Sequence, residues 1–118
     1  MGHSRFLIVS RPPRPDVAPG GTVWRLLGAN NRHLGQSEET FRDVPSCRAA
    51  IEQLQQRLDQ GRATIGAVDR GQLWRWRIEL DGRTVACSAR GYRRQRECQY
   101  NLARFLAGAR SAEPGSNA

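Results

Sequence analysis

The chain of 118 residues contains no lysine, and all 19 of its basic side chains are arginines. Phosphate-binding proteins usually combine Arg with Lys, because Lys is an effective point charge for phosphate. Complete exclusion of Lys is therefore more typical of a genome-wide bias towards GC-rich codons. The net charge of +8 exists physically, but it does not by itself establish a functional basic surface.

Long hydrophobic runs are also absent. The longest run, Phe6 to Val9, is far shorter than the roughly 20 residues of a transmembrane helix or the roughly 7–15 of a signal-peptide core. Hydrophobic residues make up 38% of the chain, and the mean hydropathy is −0.66. These values predict a soluble cytoplasmic protein with no membrane partner. Residues 1–4 carry no argument, since they could be native or left over from an expression tag.

Cysteine and histidine are scarce. The three cysteines, Cys47, Cys87 and Cys98, are odd in number and lack C-x-x-C spacing, which argues against a disulfide framework or a zinc site. The two histidines, His3 and His33, cannot complete a metal shell with them. No catalytic or cofactor motif stands out, so the sequence predicts no metal, no cofactor and no enzymatic activity.

An internal repeat organises what is present. The length is that of one ordinary domain, 1–118, which can fold without disulfides or metal. Within it, residues 22–58 and 72–109 align as two copies of one unit. The alignment has an offset of 50 before the turn, which matches Trp24 with Trp74, and an offset of 51 after it. The later matches are Leu34 with Val85, Ser37 with Ser88, Phe41 with Tyr92, Cys47 with Cys98, Ile51 with Leu102, and Leu54 with Phe105.

The second copy contains a clear hairpin signal. Asp81-Gly82 suits a type I′ turn, in which both central residues need positive φ. A two-residue loop there places Ile78 opposite Val85, and alternation then divides the hairpin into two faces. The predicted inner face carries Trp74, Trp76, Ile78, Val85, Cys87 and Ala89. The predicted outer face carries Arg75, Arg77, Glu79, Thr84, Ala86 and Ser88.

Both hairpins are followed by helical periodicity and preceded by a short β-rich segment. In the first copy Asn30-Asn31-Arg32 marks the turn, and Asp43 or Ser46 is the expected N-cap of the helix, with Gly61 after its end. The strands expected before the hairpins are 6–10 and 63–68. The resulting α+β prediction is a tandem duplication of a β-β-β-α unit. Repeat one spans 5–60, repeat two 62–109, the Pro/Gly loop 11–21, and a disordered tail 110–118.

The hairpin sequences resemble the YegP-like family of small uncharacterised bacterial proteins. The matching segment is WRWRIELDGRTVACSARGY, Trp74 to Tyr92, and more loosely WRLLGANNRHLGQSEETF, Trp24 to Phe41. The resemblance covers about residues 6–109. It implies a single antiparallel sheet with two helices packed on one face, each over the strands of the other repeat. It also implies a monomer, and it supplies no catalytic residues.

Two groups of arginines are candidate anion or nucleic-acid contacts. Arg93, Arg94 and Arg96 surround the start of the second helix, where cations oppose the helix dipole at a cost of about 0.3–1 kcal/mol each. Such placement indicates a functional contact, unless the cluster is simply solvated. Arg25, Arg75 and Arg77 are expected on the outer sheet face. That face would need exposed aromatic rings for base stacking, and the tryptophans are predicted to point inward.

Three functional hypotheses follow. The leading one is a non-enzymatic accessory or interaction domain whose partner is unknown. The alternative is a nucleic-acid or anion-binding module that uses the arginine-rich sheet face and the start of the second helix. An enzyme ranks third, because it would need a deep polar pocket near His33 and Cys87. The cysteines are expected in the core, since a reactive thiol needs exposure and a basic neighbour.

Overall fold

One open sheet and two helices make up the computed structural model, which describes residues 3–13, 15–16 and 20–117. The strands are β1 (Arg5–Arg11), β2 (Gly21–Leu27), β3 (His33–Ser37), β4 (Arg62–Val68), β5 (Leu73–Leu80), β6 (Arg83–Ser88) and β7 (Glu113–Asn117), and the helices are α1 (Val44–Arg57) and α2 (Gln95–Ser111). The strand order is β4-β5-β6-β3-β2-β1-β7. All neighbours are antiparallel except β1 and β7. The predicted α+β class is confirmed. Among the described residues, neither helix has the length and hydropathy that a membrane span needs.

The two halves of the chain meet in the middle of the sheet. There β3 pairs with β6, with Gly35 opposite Ser88 and Ser37 opposite Ala86. Each half consists of three strands followed by a helix, the order that the predicted duplication requires. The duplication itself stays a prediction. Part of the predicted Pro/Gly loop, residues 14 and 17–19, lies outside the described residues.

The tryptophans show that the predicted alignment of the halves is wrong in the strands before the turns. Trp24 lies opposite Ile8, and Trp76 lies opposite Ile65, so these two indoles occupy corresponding places. Both are 1% exposed. Trp74, which was expected to match Trp24, is only partly buried at the start of β5. The offset before the turns is therefore 52, because the first turn is longer than the second.

The turns explain this difference in length. The second is the predicted two-residue turn, with φ of 53° at Asp81 and 78° at Gly82. The first contains a short 3-10 turn over Ala29–Asn31, in which Asn30 and Asn31 adopt positive φ. Asparagine tolerates this conformation better than other non-glycine residues, so the predicted position of the first turn is confirmed.

A β-bulge changes the predicted register of the second hairpin. Glu79 pairs with Thr84 as expected, but Ile78 then pairs with Ala86, and Arg77 with Cys87. The extra residue on β6 reverses the faces beyond it. Ala86 and Ser88 are therefore fully buried on the inner face, whereas Cys87 belongs to the outer face. The predictions of an inward Cys87 and an outward Ala86 and Ser88 are wrong for this reason.

Helix α1 begins as the sequence predicts. The Asp43 carboxylate accepts a hydrogen bond of 2.8 Å from the Ser46 backbone N–H, and Pro45 lies in the first turn. This bond satisfies a helical N–H that otherwise has no partner. Beyond the other end of the helix, Gly61 has φ of −72° and is not a left-handed cap. A Cβ there would lie 2.8 Å from Ile78 Cγ2, so close packing requires the glycine.

The Asp43 cap predicts a pH-dependent stability. The hydrogen bonds from Ser46 lower the pKa of Asp43. The stability that the ionised cap contributes to the folded state is therefore complete above the unfolded pKa of about 3.9, and it is lost as the pH falls through the lower folded pKa. We expect Asp43→Ala to lower the thermal unfolding midpoint by a few degrees at neutral pH. Asp43→Ser keeps a capping oxygen without the titration. Thermal melts across pH check this, and a wild-type advantage over Asp43→Ala that persists undiminished at strongly acidic pH contradicts it.

Phe105 of α2 joins the two halves of the core. Its ring stacks on Trp24 from the first half at 6.2 Å between centroids, and lies 4.6 Å from Trp76 of the second half. Gly35 of β3 lies against the same cluster, since a Cβ there would approach both Phe105 and Trp76 within 3 Å. The same core also holds the apolar sides of both helices.

The helices contact strands of both halves. Helix α1 contacts β1 and β2 of its own half and β7, which follows α2, and Arg57 reaches Asp81 in the β5–β6 turn. Helix α2 contacts β4 and β5 of its own half and β1, β2 and β3 of the other. The crossing of each helix over the other repeat, which the resemblance implies, stays a prediction.

The C-terminal segment differs from the predicted disordered tail. Helix α2 continues to Ser111, and Glu113–Asn117 add a parallel strand beside β1. Gln55 Nε2 of α1 donates to the carbonyl oxygens of Ala109 and Ala112 and holds the end of α2 in place. Hydrophobic periodicity could not indicate this segment, because its order comes from backbone pairing with the open edge of β1.

Candidate anion-binding site

A surface cleft lies where the first half of α2 meets the β2–β3 turn and the β6–α2 loop. Its volume is about 510 Å³, within the range of small-ligand sites. Four arginines line it: Arg32 from the turn, Arg90 from the loop, and Arg96 and Arg104 from α2. The remaining residues of this arginine–tyrosine cleft are His33, Leu34, Tyr92, Glu97, Tyr100 and Asn101.

The periodicity of α2 positions one wall of the cleft. Cys98, Phe105 and Ala109 face the core. Arg96, Tyr100 and Arg104 are spaced four residues apart, so they form a ridge along a different side of the same helix. The ridge is therefore fixed by the packing of α2 on the sheet.

The four arginines of the cleft lack carboxylate partners. Elsewhere Arg57 pairs with Asp81 at 2.7 Å and Arg110 with Asp59 at 3.2 Å, but none of the four makes an ion pair with any residue that the structure describes. Only Glu97 among the lining residues is acidic. Four positive charges against one negative charge make the cleft a strongly electropositive surface.

Two tyrosines lie against arginines of the cleft. The Arg90 guanidinium lies 4.5 Å from the Tyr92 ring centroid, and the Arg104 guanidinium lies 5.7 Å from that of Tyr100. These are cation–π distances. Tyr92 is buried, whereas Tyr100 is 63% exposed. The cleft thus presents an aromatic ring to solvent among guanidinium groups.

Neutral polar groups complete the lining. Burial lowers the pKa of His33, and the charge of Arg25 acts in the same direction, so the imidazole is neutral near pH 7. Its Nε2 is buried and has no hydrogen-bond partner among the described residues. Asn101 Oδ1 accepts a hydrogen bond from the Trp76 indole, which leaves the Asn101 NH₂ group as the part of the amide that can serve a ligand.

The predicted outer-face arginines lie away from this cleft. Arg25 and Arg77 lie in one cross-strand row, separated by Gln36 and Cys87 and thus by about 14 Å at the usual strand spacing. Arg77 pairs with Glu79 at 3.6 Å. Arg75 Nη1 lies 3.5 Å from the Ser88 carbonyl oxygen. Arg75, Arg77 and Glu79 line a second groove, the outer groove, together with Glu38. The outer groove is less positive than the arginine–tyrosine cleft.

The predicted cluster at the start of the second helix is divided. Helix α2 begins at Gln95, so Arg93 and Arg94 precede it, and Arg94 provides no side-chain cap. Arg96 alone of the three lines the arginine–tyrosine cleft. The structure therefore does not bring the six predicted arginines to a single surface.

The cysteines and His33 do not form one pocket. Cys47 and Cys98 are buried, and burial raises the pKa of Cys47 to about 11. Cys87 lines the outer groove, where burial and then Glu38 raise its pKa to about 12. Each of these two thiols is almost entirely protonated at neutral pH. Among the described residues, no three His, Cys, Asp or Glu side chains are grouped as a metal site would require.

Comparison with known proteins identifies relatives by fold alone. The solution NMR structure of YegP from E. coli, a protein of unknown function, superposes with a TM-score of 0.75 at 13% identity, over 99% of this chain and 94% of that one. A UPF0339 protein from Shewanella oneidensis has a TM-score of 0.70 at 10% identity, over 95% and 90%. No family model and no curated protein sequence matches. The resemblance to the YegP-like family is confirmed at the level of the fold.

Sequence reasoning missed most of the cleft. Arg32, Arg90, Tyr100 and Arg104 are not among the arginines and other residues that the sequence predicts as anion contacts. A signal was present on α2, where Arg96, Tyr100 and Arg104 follow one another at intervals of four. No local pattern connects this stripe with Arg32 or Arg90, because tertiary packing brings those residues to it.

Proposed function

We propose that the chain is a non-enzymatic interaction domain that binds a phosphate-bearing anion in the arginine–tyrosine cleft. The observation that carries this proposal is the convergence of Arg32, Arg90, Arg96 and Arg104 on one concave surface with a single carboxylate. Guanidinium groups bind phosphate oxygens through paired, charge-assisted hydrogen bonds. We also propose that the chain is a single domain with repeats at 5–60 and 62–109, and that it is a cytoplasmic monomer.

The cleft supports binding rather than chemistry. A general base or nucleophile would have to lie beside the arginines with a partner that activates it. Within the described part of the chain His33 has no carboxylate partner, and Cys87 belongs to the outer groove rather than to the cleft. The outer face remains the second candidate surface through Arg25, Arg75 and Arg77, although Glu38 and Glu79 reduce its positive potential.

Charge reversal in the cleft tests the proposal. We expect Arg96→Glu with Arg104→Glu to weaken the binding of inorganic pyrophosphate by about tenfold or more, since a hydrogen bond to a charged group contributes about 1.5–3 kcal/mol. The measurement is an NMR titration of the full chain with pyrophosphate. In the wild type the largest amide shifts should fall around Arg32, Arg90 and the first turns of α2.

The matched control is Arg93→Glu with Arg94→Glu. It changes the net charge by the same amount just outside the cleft. Circular dichroism melts of both double variants confirm that each is folded. If the two variants weaken binding equally, or if the wild-type shifts map to the outer groove, the assignment to the cleft is wrong.

A further inference from the structure

Tyr100 is unusual among the aromatic side chains of this chain. Trp24, Trp76, Phe6 and Phe105 are almost fully buried, whereas Tyr100 is 63% exposed. Its position on α2 lies one turn from Arg96 and one turn from Arg104. An exposed ring inside a basic cleft is a platform on which a planar group can stack.

The arginines of the cleft divide into two kinds. Arg90 and Arg104 lie over tyrosine rings, so their planar faces are already engaged in stacking. Arg32 and Arg96 have no aromatic partner among the described residues and come from different elements of the cleft. A planar ligand group would therefore stack on the exposed part of the Tyr100 ring, whereas Arg32 and Arg96 suit a phosphate held by both elements.

We propose that the anion is single-stranded nucleic acid, with one base stacked on Tyr100 beside Arg104 and the adjacent phosphate bound by Arg32 and Arg96. This inference rests on the proposed function and specifies its ligand. Stacking on a side chain requires an unstacked base, which a single strand offers and a duplex does not. The Asn101 NH₂ group is a neutral polar group of the cleft that can contact the base or the sugar.

The arginine–tyrosine cleft has an exposed aromatic ring for base stacking, which the outer sheet face lacks among the residues that the structure describes. The tryptophans of β2 and β5 contribute to the core, so the arginines on the other face of the sheet have no exposed tryptophan beside them. In the arginine–tyrosine cleft the aromatic ring and the positive charges occur together. Single-strand binding without sequence preference uses this combination of a basic groove and stacking rings.

The experiment compares two strands with the same phosphates. A fluorescein-labelled short oligo(dT) and an abasic strand of equal length are titrated with the full-length protein by fluorescence anisotropy at low and moderate salt. We expect oligo(dT) to bind about 5- to 150-fold more tightly than the abasic strand, which is the range for one base stacked on an aromatic side chain.

Variants of Tyr100 separate stacking from charge. Tyr100→Ala should bring oligo(dT) affinity down to that of the abasic strand, whereas Tyr100→Phe should preserve it. The side chain is exposed, so thermal melts should differ little among the three proteins. The double variant Arg96→Glu with Arg104→Glu should bind both strands more weakly than the wild type, because both strands carry the same phosphates.

Each outcome separates this inference from the proposed function. Equal affinity for the two strands, with Tyr100→Ala unchanged, overturns base stacking while cleft-dependent anion binding remains. Equally tight binding of oligo(dT) and its duplex with oligo(dA) also overturns the single-strand assignment. Binding of both strands that is unaffected by the cleft double variant contradicts the proposed function itself.

Discussion

Replacing Phe105 with alanine is expected to lower the free energy of unfolding by about 3–5 kcal/mol. The ring is fully buried, stacks on Trp24 and lies against Trp76. Its removal leaves a cavity between the tryptophans of the two halves, which can close only if α2 moves towards the sheet. The loss is a large share of the 5–15 kcal/mol typical of a small domain.

Chemical denaturation followed by circular dichroism measures the Phe105 effect. The matched control is Tyr100→Ala, an aromatic truncation on the same helix at an exposed position, for which we expect a change of about 0.5 kcal/mol. Phe105→Leu leaves a smaller cavity and provides a second folded variant. The account of the core is wrong if Phe105→Ala costs no more than Tyr100→Ala.

Adding one methyl group at Gly35 is expected to cost about 1–3 kcal/mol. A Cβ at this position would lie 2.6 Å from Phe105 Cδ2 and 2.8 Å from Trp76 Cη2. Both neighbours are fully buried, so neither ring can turn away without disturbing the rest of the core. Overpacking at the junction of β3 with β6 therefore destabilises the whole sheet.

The control for Gly35 is Gly66 on the edge strand β4. A Cβ at Gly66 meets nothing within 4 Å, and its φ is not positive. Gly66→Ala should therefore leave stability unchanged or raise it slightly, because alanine reduces the entropy of the unfolded chain. Combining Gly35→Ala with Phe105→Leu should cost less than the sum of the two changes, since the smaller side chain makes room for the methyl group. Simple additivity contradicts the proposed clash.

These core residues also position the candidate site. Arg32 and His33 come from the first half of the chain, whereas Arg90, Arg96 and Arg104 come from the second. The cleft exists because β3 and β6 are paired and because α2 packs on the sheet through Phe105. Substitutions that loosen this junction are expected to weaken ligand binding without touching a lining residue.

Local patterns in the sequence were sufficient to predict most of the strands, turns and helices. The Asp81-Gly82 turn, the strands near 6–10 and 63–68, the Asp43 cap and the apolar side of each helix follow from short-range preferences. Each of these depends on neighbouring residues alone, whether through positive φ, alternation, capping or helical period. The arginines of β5 were correctly expected on the outer face for the same reason.

Features that depend on residues far apart in the sequence could not be predicted from local patterns. The bulge on β6, opposite Ile78 and Glu79, moved Cys87 to the outer face and buried Ala86 and Ser88, because one extra residue reverses every side chain beyond it. Trp24 and Trp76 occupy corresponding places in the two halves because the two turns differ in length. The alignment of the two sequence copies did not show this difference. The strand β7 depends on the free edge of β1.

The sequence by itself determined an α+β chain of strands, turns and amphipathic helices with a surplus of arginine. Only the tertiary structure decided which arginines share a surface. Arg32 precedes Arg96 by 64 residues along the chain, so no local rule relates it to the arginines of α2. The pairing of β3 with β6 and the docking of α2 bring them around Tyr100, because burial of the aromatic core fixes both elements at once.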